Sequence, residues 1–100
     1  MEALYEVKGN TLIVYMPEEV DHHCAEQINE YSDWFVTGNN VRNMIFDFAK
    51  TEFMDSSGIG IVMGRYKLIK KLGGKITLRN ITSAVNRIFS LSGVYKMIGN

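Results

Sequence analysis

The sequence predicts a single α/β domain, with a mixed, mostly parallel β-sheet that begins with an antiparallel hairpin and is flanked by helices. Three observations support this fold class. The chain has 100 residues, which suffice for one domain with one modest core. Hydrophobic residues make up 46% of it, an ordinary share for a globular protein. Segments with strand character alternate with segments of helical periodicity, as in parallel sheets covered by helices.

Two strands are predicted at the start of the chain, over residues 2–8 and 11–16. Apolar side chains recur through both segments, and Gly9-Asn10 between them is a typical hairpin turn. Pro17 and the acidic pair that follows it end the second strand.

A helix is predicted from Asp21 to about residue 37, because aspartate is a favoured N-cap. Residues at helical spacing define its inner face: Ala25, Ile28, Ser32 and Phe35. Gly38 suits the exit from this helix. The next strand spans Val41 to Phe48, and its run Met44-Ile45-Phe46 predicts burial on both faces of the sheet.

The second half of the chain repeats this alternation. A helix of about four turns is predicted from near Ser57 to Gly73-Gly74. A short strand follows over Lys75 to Leu78, and Thr82 or Ser83 caps a further helix that Gly93 closes. The tail, Val94 to Ile98, is predicted as the start of a last short strand.

Polar residues cluster in the two loops that leave the second and third strands, over Glu18–His23 and Ala49–Ser56. The carboxyl ends of parallel strands share one rim of a sheet, where ligands and partners tend to bind. We therefore expect one group of side chains at this rim: Asp21, His22, His23, Asp55, Ser56 and Ser57.

Three roles compete for the serines of this rim. Serine, histidine and aspartate are the ingredients of a hydrolase, but the G-x-S-x-G elbow is absent and adjacent histidines diverge on a helix. A phosphate-type modification or ligand is the second role. The third is purely structural, since Ser56 or Ser57 as N-cap would stabilise the helix by about 1 kcal/mol.

The glycines beside the serines favour docking or modification over a simple cap. Gly58 and Gly60 each cost about 1 kcal/mol relative to alanine in a helix, so stability alone would not select them. Small residues there, with Ile59 between them, let another surface approach the exposed N–H groups at the helix start.

Metal and nucleotide sites are poorly supported by the same stretches. His22, His23 and Cys24 are consecutive, whereas ligands on a helix need spacings of three or four. Gly58, Gly60 and Gly64 miss the dinucleotide fingerprint by one residue. We therefore expect no metal, no cofactor and no catalytic residue.

Charge and composition restrict the partners. Eleven basic and eleven acidic residues cancel, so no overall field attracts nucleic acid. The sequence has no basic-then-apolar leader and no apolar run long enough for a membrane span. The lone Cys24 cannot form an internal disulfide. We expect a cytoplasmic protein that binds neither nucleic acid nor membrane.

Three segments together identify a family: FMDSSGIGIVMGRYK (53–67), VDHHCAE (20–26) upstream and AVNRIFSLSGVYKMI (84–98) downstream. In this order and spacing, the chain closely resembles the sporulation-type anti-sigma factor antagonists, the founding members of the STAS domain family. The resemblance covers nearly the whole chain, and the D-S-S-G-[LI]-G core is its most specific part.

The resemblance implies a fold and a regulatory function. Such proteins bind an anti-sigma factor that is a serine kinase, and thereby release the sigma factor it holds. The kinase phosphorylates the serine directly after the motif's aspartate, here Ser56, and a dedicated serine phosphatase restores the active form. Asp21 matches an aspartate of the partner surface beside the phosphosite. The domain itself is not an enzyme, and we expect a monomer or weak homodimer.

Two departures from the family accompany the resemblance, and one of them is Pro17-Glu18-Glu19, which stands where a glycine-containing turn is common. Family members usually continue through a further strand and a final amphipathic helix, whereas this sequence ends at Asn100. We therefore expect a STAS-like domain without its usual final helix. The alternative function is a STAS-type interaction module in another stress-signalling or scaffold complex.

Overall fold

The computed structural model of the protein describes residues 2–98. Its elements in chain order are β1 (Leu4–Lys8), β2 (Thr11–Tyr15), β3 (Glu19–Val20), α1 (His22–Gly38), β4 (Asn43–Asp47), β5 (Phe53–Met54), α2 (Ser57–Lys71), β6 (Ile76–Arg79), α3 (Ser83–Ser92) and α4 (Val94–Ile98). The main sheet has four strands in the order β1-β2-β4-β6, and β3 and β5 form a separate two-stranded sheet. The predicted fold class is confirmed.

The main sheet is mixed, as predicted. Strands β1 and β2 form the antiparallel hairpin, and β2, β4 and β6 run parallel. Tyr15, Asp47 and Arg79 lie side by side in the register at the carboxyl ends of these three strands. Their loops therefore leave the sheet along one rim.

The core lies on one face of the main sheet, beneath the helices. Alternate strand residues on this face are buried: Leu12, Val14, Met44, Phe46, Ile76 and Leu78. On the opposite face Ile13 is buried, its neighbour Ile45 is only partly buried and Thr77 is exposed. The prediction that both faces of β4 are buried is therefore wrong for Ile45, because the helices cover only one face.

Helices α1 and α2 pack against each other over this core and are joined by a buried arginine. The Arg65 side chain is only 12% exposed and forms an ion pair with Asp33 on α1. It also donates hydrogen bonds of 3.1 Å to the Ser32 hydroxyl and 3.4 Å to the Asn29 carbonyl oxygen. All three contacts are made by the Nη1 atom, whereas the buried Nε atom of Arg65 has no hydrogen-bond partner among the described residues.

The tail of the described chain is helical, so the prediction of a strand over Val94–Ile98 is wrong. Gly93 ends α3 in the left-handed conformation, with φ of 80°, and α4 begins at the next residue. Val94 is 1% exposed, so this one-turn helix closes part of the core. A five-residue segment with four apolar residues fits either a strand or a helix, and packing decided between them here.

Two short strands were missed by the sequence interpretation. Glu19–Val20 and Phe53–Met54 lie within the segments predicted as loops, and they pair in parallel as β3 and β5.

Within residues 2–98, no helix is both long and apolar enough to cross a membrane.

Candidate partner-binding and modification site

The β3–β5 pair brings the two rim loops together. Val20 pairs with Met54 in the register, and the Asp55 N–H donates a 3.1 Å hydrogen bond to the Val20 carbonyl oxygen. Asp21 and Asp55 are the residues that follow this registered pair. The structure thus places the start of α1 beside the start of α2.

Asp21 is the N-cap of α1, as predicted. Its Oδ1 atom accepts hydrogen bonds from the backbone N–H groups of His23, at 3.0 Å, and Cys24, at 3.1 Å. One carboxylate oxygen thereby satisfies two N–H groups that the helix leaves without a partner. The half-buried Asp21 is consequently held in one orientation at the rim.

Asp55, and not a serine, caps α2. Ser56 occupies the N-cap position but has helical dihedral angles, with φ of −64° and ψ of −12°, and its hydroxyl makes no cap hydrogen bond. The Asp55 Oδ1 atom accepts instead from the Ser57 N–H, at 2.8 Å. Of the three roles considered for the serines, the structure does not support capping by Ser56, because the Asp55 carboxylate and not a serine hydroxyl accepts a backbone N–H at the start of α2.

The predicted site residues differ in their exposure. Four are exposed: His22, His23, Ser56 and Gly60. Four are half-buried: Asp21, Asp55, Ser57 and Ile59. Gly58 is buried. The two histidine rings lie 6.3 Å apart on the surface at the start of α1. An exposed serine hydroxyl at a helix N-terminus is open to an approaching enzyme.

The two glycines of the motif differ in the space that the fold leaves for a side chain. A Cβ atom on Gly58 would lie 2.3 Å from the Met54 Sδ atom, so this glycine lets α2 pack on β5. A Cβ atom on Gly60 would meet nothing within 4 Å. Packing within the chain therefore accounts for Gly58, and only Gly60 leaves an open surface for a partner to approach.

Cys24 lies near both Asp21 and Asp55, and the pKa of its thiol is raised. Burial raises the pKa of its thiol, and the charges of Asp21 and Asp55 raise it further, although the thiol donates a 3.3 Å hydrogen bond to the Asp21 carbonyl oxygen. A raised pKa keeps the thiol protonated near neutral pH. Among residues 2–98, no group of three His, Cys, Asp or Glu side chains is arranged to hold a metal ion.

The rim includes residues that the sequence analysis did not single out. A groove of about 410 Å³ beside Asp21 has Glu18 and Glu19 among its lining residues. Phe53 is 53% exposed and pairs with Glu19 in the β3–β5 register. Phe53 is a single aromatic residue in the polar segment before Asp55. It could have indicated an additional surface residue from the sequence, since a solvent-exposed loop does not require an aromatic side chain.

The chain matches the STAS domain model over residues 2–100. The anti-sigma F factor antagonist of Paenibacillus polymyxa is 32% identical over 87 residues, which cover 87% of this chain and 74% of the relative. The anti-sigma-B factor antagonist of Bacillus subtilis (strain 168) is 37% identical over 90 residues, 89% of this chain and 80% of the relative.

Solved structures agree with these sequence relatives. The unphosphorylated anti-sigma factor antagonist SpoIIAA superposes with a TM-score of 0.77 at 30% identity, over 89% of this chain and 82% of that one. The phosphorylated form of the Bacillus cell fate determinant SpoIIAA gives 0.79 at 30% identity, over 94% and 86%. The murine anion transporter Slc26a9 shares only the fold, with a TM-score of 0.65 at 24% identity over 91% of this chain and 15% of the transporter. The chain therefore belongs to the STAS domain family, on the branch of the anti-sigma factor antagonists.

Proposed function

We propose that this protein is an anti-sigma factor antagonist switched by phosphorylation of Ser56. In the cytoplasm it binds an anti-sigma factor serine kinase and so releases the sigma factor. Phosphorylation of Ser56 by that kinase abolishes the release, and a serine phosphatase restores it. The observation that carries this proposal is the exposed Ser56, whose hydroxyl is not used for capping and which directly follows the fixed Asp55 carboxylate at the rim that also includes Asp21.

The relatives support the regulatory role. Two curated relatives at more than 30% identity are anti-sigma factor antagonists, and SpoIIAA has been solved in both unphosphorylated and phosphorylated forms. A regulatory binding protein needs no catalytic residue and no cofactor. We accordingly assign neither to this chain.

The proposed partner surface is the rim itself. It comprises Asp21, His22 and His23 at the start of α1, together with Asp55, Ser56, Ser57, Gly58, Ile59 and Gly60 at the start of α2. Backbone pairing of β3 with β5 fixes these two segments relative to each other. A surface that is already ordered costs less conformational entropy on binding than a flexible loop would.

The fold itself should tolerate a phosphate on Ser56. The N-terminus of α2 carries a partial positive charge, which stabilises a nearby anion by up to about 1 kcal/mol. A phosphoserine adds about −1.5 to −2 charges at neutral pH. We therefore expect little refolding, and amide NMR spectra of the wild type and Ser56→Asp should differ only around the rim.

The phosphate should, in contrast, prevent the partner from binding at the rim. A partner packed on the rim would remove water from a dianion that directly follows Asp55 on the rim that also includes Asp21, and neither carboxylate can pair with it. Burying an unpaired charge costs several kcal/mol, which exceeds the local gain from the helix dipole. The switch therefore acts by excluding the partner from the rim.

A second candidate function is a STAS-type interaction module in a different assembly. The likeness to a domain of the Slc26a9 transporter favours it, because the same fold is used there outside sigma-factor regulation. In that case the rim would still bind a partner, but no kinase would modify Ser56.

Intact-mass spectrometry after incubation with ATP and the candidate anti-sigma kinase tests the proposal. The kinase is best sought among genes next to the one for this chain. We expect one added phosphate on the wild type and on Ser57→Ala, and none on Ser56→Ala. Phosphate on Ser56→Ala but not on Ser57→Ala would reverse the assignment. No phosphate on any of the three, with the kinase active on another substrate, would favour the interaction module.

A further inference from the structure

Apolar side chains gather along the free edge of the main sheet, on β1 and on the second half of α1. Four of them are 41–60% exposed: Leu4 and Val7 on β1, and Tyr31 and Trp34 on α1. Tyr5 links the strand to the helix, with its ring centroid 5.4 Å from that of Tyr31. A groove of about 480 Å³ runs between Tyr5 and Trp34. We call the outer side of β1 with these aromatic residues the β1 edge surface.

The backbone of β1 has unpaired hydrogen-bonding groups on its outer side. Lys8 and Thr11 are the hydrogen-bonded pair that flanks the two-residue turn of the hairpin. From there, non-hydrogen-bonded and hydrogen-bonded pairs alternate along the two strands. Leu4, Glu6 and Lys8 therefore turn their N–H and C=O groups towards β2. Tyr5 and Val7 turn theirs outward, and β1 is the first strand of the sheet order. An outward row of this kind is a template for another strand.

The charges of β1 are complementary to a second copy of the same strand. If two β1 strands run antiparallel about Val7, Val7 lies opposite Val7 of the second copy, and Glu6 lies opposite its Lys8. These Glu6–Lys8 pairs are at non-hydrogen-bonded positions, where cross-strand side chains approach most closely. Two attractive pairs thus form by symmetry, in place of the exposed 3.9 Å Glu6–Lys8 contact within each strand.

At the other free edge of the sheet, β6, the charges would repel those of a second copy. Antiparallel pairing of two β6 strands about Thr77 would place Lys75 opposite Arg79 of the second copy. Like charges directly opposite each other are destabilising. Charge therefore selects the β1 edge for self-association.

We propose that two copies of this chain form a symmetric dimer by antiparallel pairing of their β1 strands about Val7. The two four-stranded sheets become one continuous sheet, and Val7, Tyr31 and Trp34 are covered on its helical face. A two-fold axis through Val7 closes the assembly at two copies.

The dimer leaves the rim sites open. Asp21 caps the start of α1, whereas Trp34 lies near its end, about 20 Å away along the helix axis. Both copies can therefore bind a partner at the same time. A dimeric anti-sigma factor would then meet two linked sites, which raises the effective affinity without any new contact.

Sedimentation equilibrium over micromolar to millimolar concentrations tests the dimer, with Val7→Pro as the main variant. Proline removes the outward N–H of Val7 and leaves the β1–β2 bonds intact, since it is tolerated on an edge strand. We expect the wild type to double in mass with concentration and Val7→Pro to remain monomeric. A wild type that is monomeric throughout, or a Val7→Pro that dimerises equally, would overturn the proposal.

Charge exchange tests the register independently of proline. Lys8→Glu should weaken the dimer about tenfold, because it places two pairs of like charges opposite each other. The double variant Glu6→Lys/Lys8→Glu should restore most of that loss, and a double variant as weak as Lys8→Glu would overturn the register. Trp34→Ala should also weaken the dimer, whereas Leu91→Ala, which alters an apolar residue that is 84% exposed elsewhere, should not.

Amide hydrogen exchange of the wild type keeps the test independent of any variant that fails to fold. The Val7 N–H should be protected at millimolar concentration and exchange at least about tenfold faster after dilution. Equal exchange at both concentrations would overturn the proposal.

Discussion

The N–H of Asp55 donates a 3.1 Å hydrogen bond to the carbonyl oxygen of Val20, the residue before Asp21. This bond continues the β3–β5 pairing by one step and joins the starts of the two helices. The exposed serine at the start of α2 thus lies on a surface ordered by backbone hydrogen bonds. In the proposed function, this surface binds a partner when unmodified and excludes it when phosphorylated, without a change of fold.

The capping role of Asp55 predicts a specific loss of stability. We expect Asp55→Ala to lower the free energy of unfolding by about 1 kcal/mol, because the Ser57 N–H loses its acceptor. Ser56→Ala is the matched control and should change it by less than about 0.5 kcal/mol, since that hydroxyl makes no cap bond. Urea denaturation measures both. Equal losses in the two variants would show that the cap is wrongly assigned.

The two glycines of the motif should respond differently to alanine. Gly60→Ala should raise the free energy of unfolding by up to about 1 kcal/mol, since alanine favours the helix and nothing lies within 4 Å. Gly58→Ala should be less stable than Gly60→Ala by about 1–3 kcal/mol, because its Cβ atom meets Met54. Urea denaturation decides the order. If Gly60 belongs to the partner surface, Gly60→Ala should nevertheless bind the kinase more weakly than the wild type.

The charge of Asp21 can be separated from its capping role. Asp21→Asn keeps an oxygen acceptor for the N–H groups of His23 and Cys24, so stability should change by only a few tenths of a kcal/mol. Binding to the anti-sigma kinase should weaken about tenfold or more if the charge contacts the partner. Isothermal titration calorimetry measures the affinity. Glu30→Gln, which neutralises an exposed carboxylate further along α1, is the control, and an equal effect of both variants would refute a specific role for Asp21.

Asp47 should contribute to the acid sensitivity of the fold. Burial acts to raise its pKa, but hydrogen bonds from the Ala49 N–H, Arg79 and Asn80 outweigh it and hold the pKa below the ordinary value. A lowered pKa stabilises the fold above the ordinary aspartate pKa of about 4, and this contribution is lost as the pH falls through the lowered value.

Asp47→Asn therefore should be less stable than the wild type near neutral pH. Its free energy of unfolding should also fall less steeply between about pH 5 and about pH 2. Urea denaturation at a series of pH values gives both curves. Parallel curves for the two proteins would contradict this role of Asp47.

The sequence was sufficient to predict the elements that bury an apolar face. The hairpin, β4, α1, α2, β6 and α3 all have a clear period or a turn signal. Asp21 was predicted as a cap, and Thr82 was one of the two candidates for the cap of α3. The site loops were expected to meet because β2 and β4 were expected to be parallel neighbours, which they are.

The remaining features depend on contacts between distant segments. Strands β3 and β5 have two residues each, too few for a period, and exist only because they pair with each other. A serine cap for α2 was one of the roles considered because Ser56 and Ser57 stand at the start of the helix, whereas in the folded backbone the Asp55 side chain accepts the Ser57 N–H. The partial exposure of Ile45 follows from helices packing on one face, which β4 alone cannot reveal.

The most direct test of the central claim is the affinity of the anti-sigma kinase for the unmodified and the Ser56-phosphorylated protein, measured by calorimetry. We expect the phosphorylated form to bind about a hundredfold more weakly, as the cost of burying an unpaired dianion requires. Only the unmodified form should then release the sigma factor. Equal affinities of the two forms would contradict the account, because a phosphate on Ser56 would then not control access to the rim.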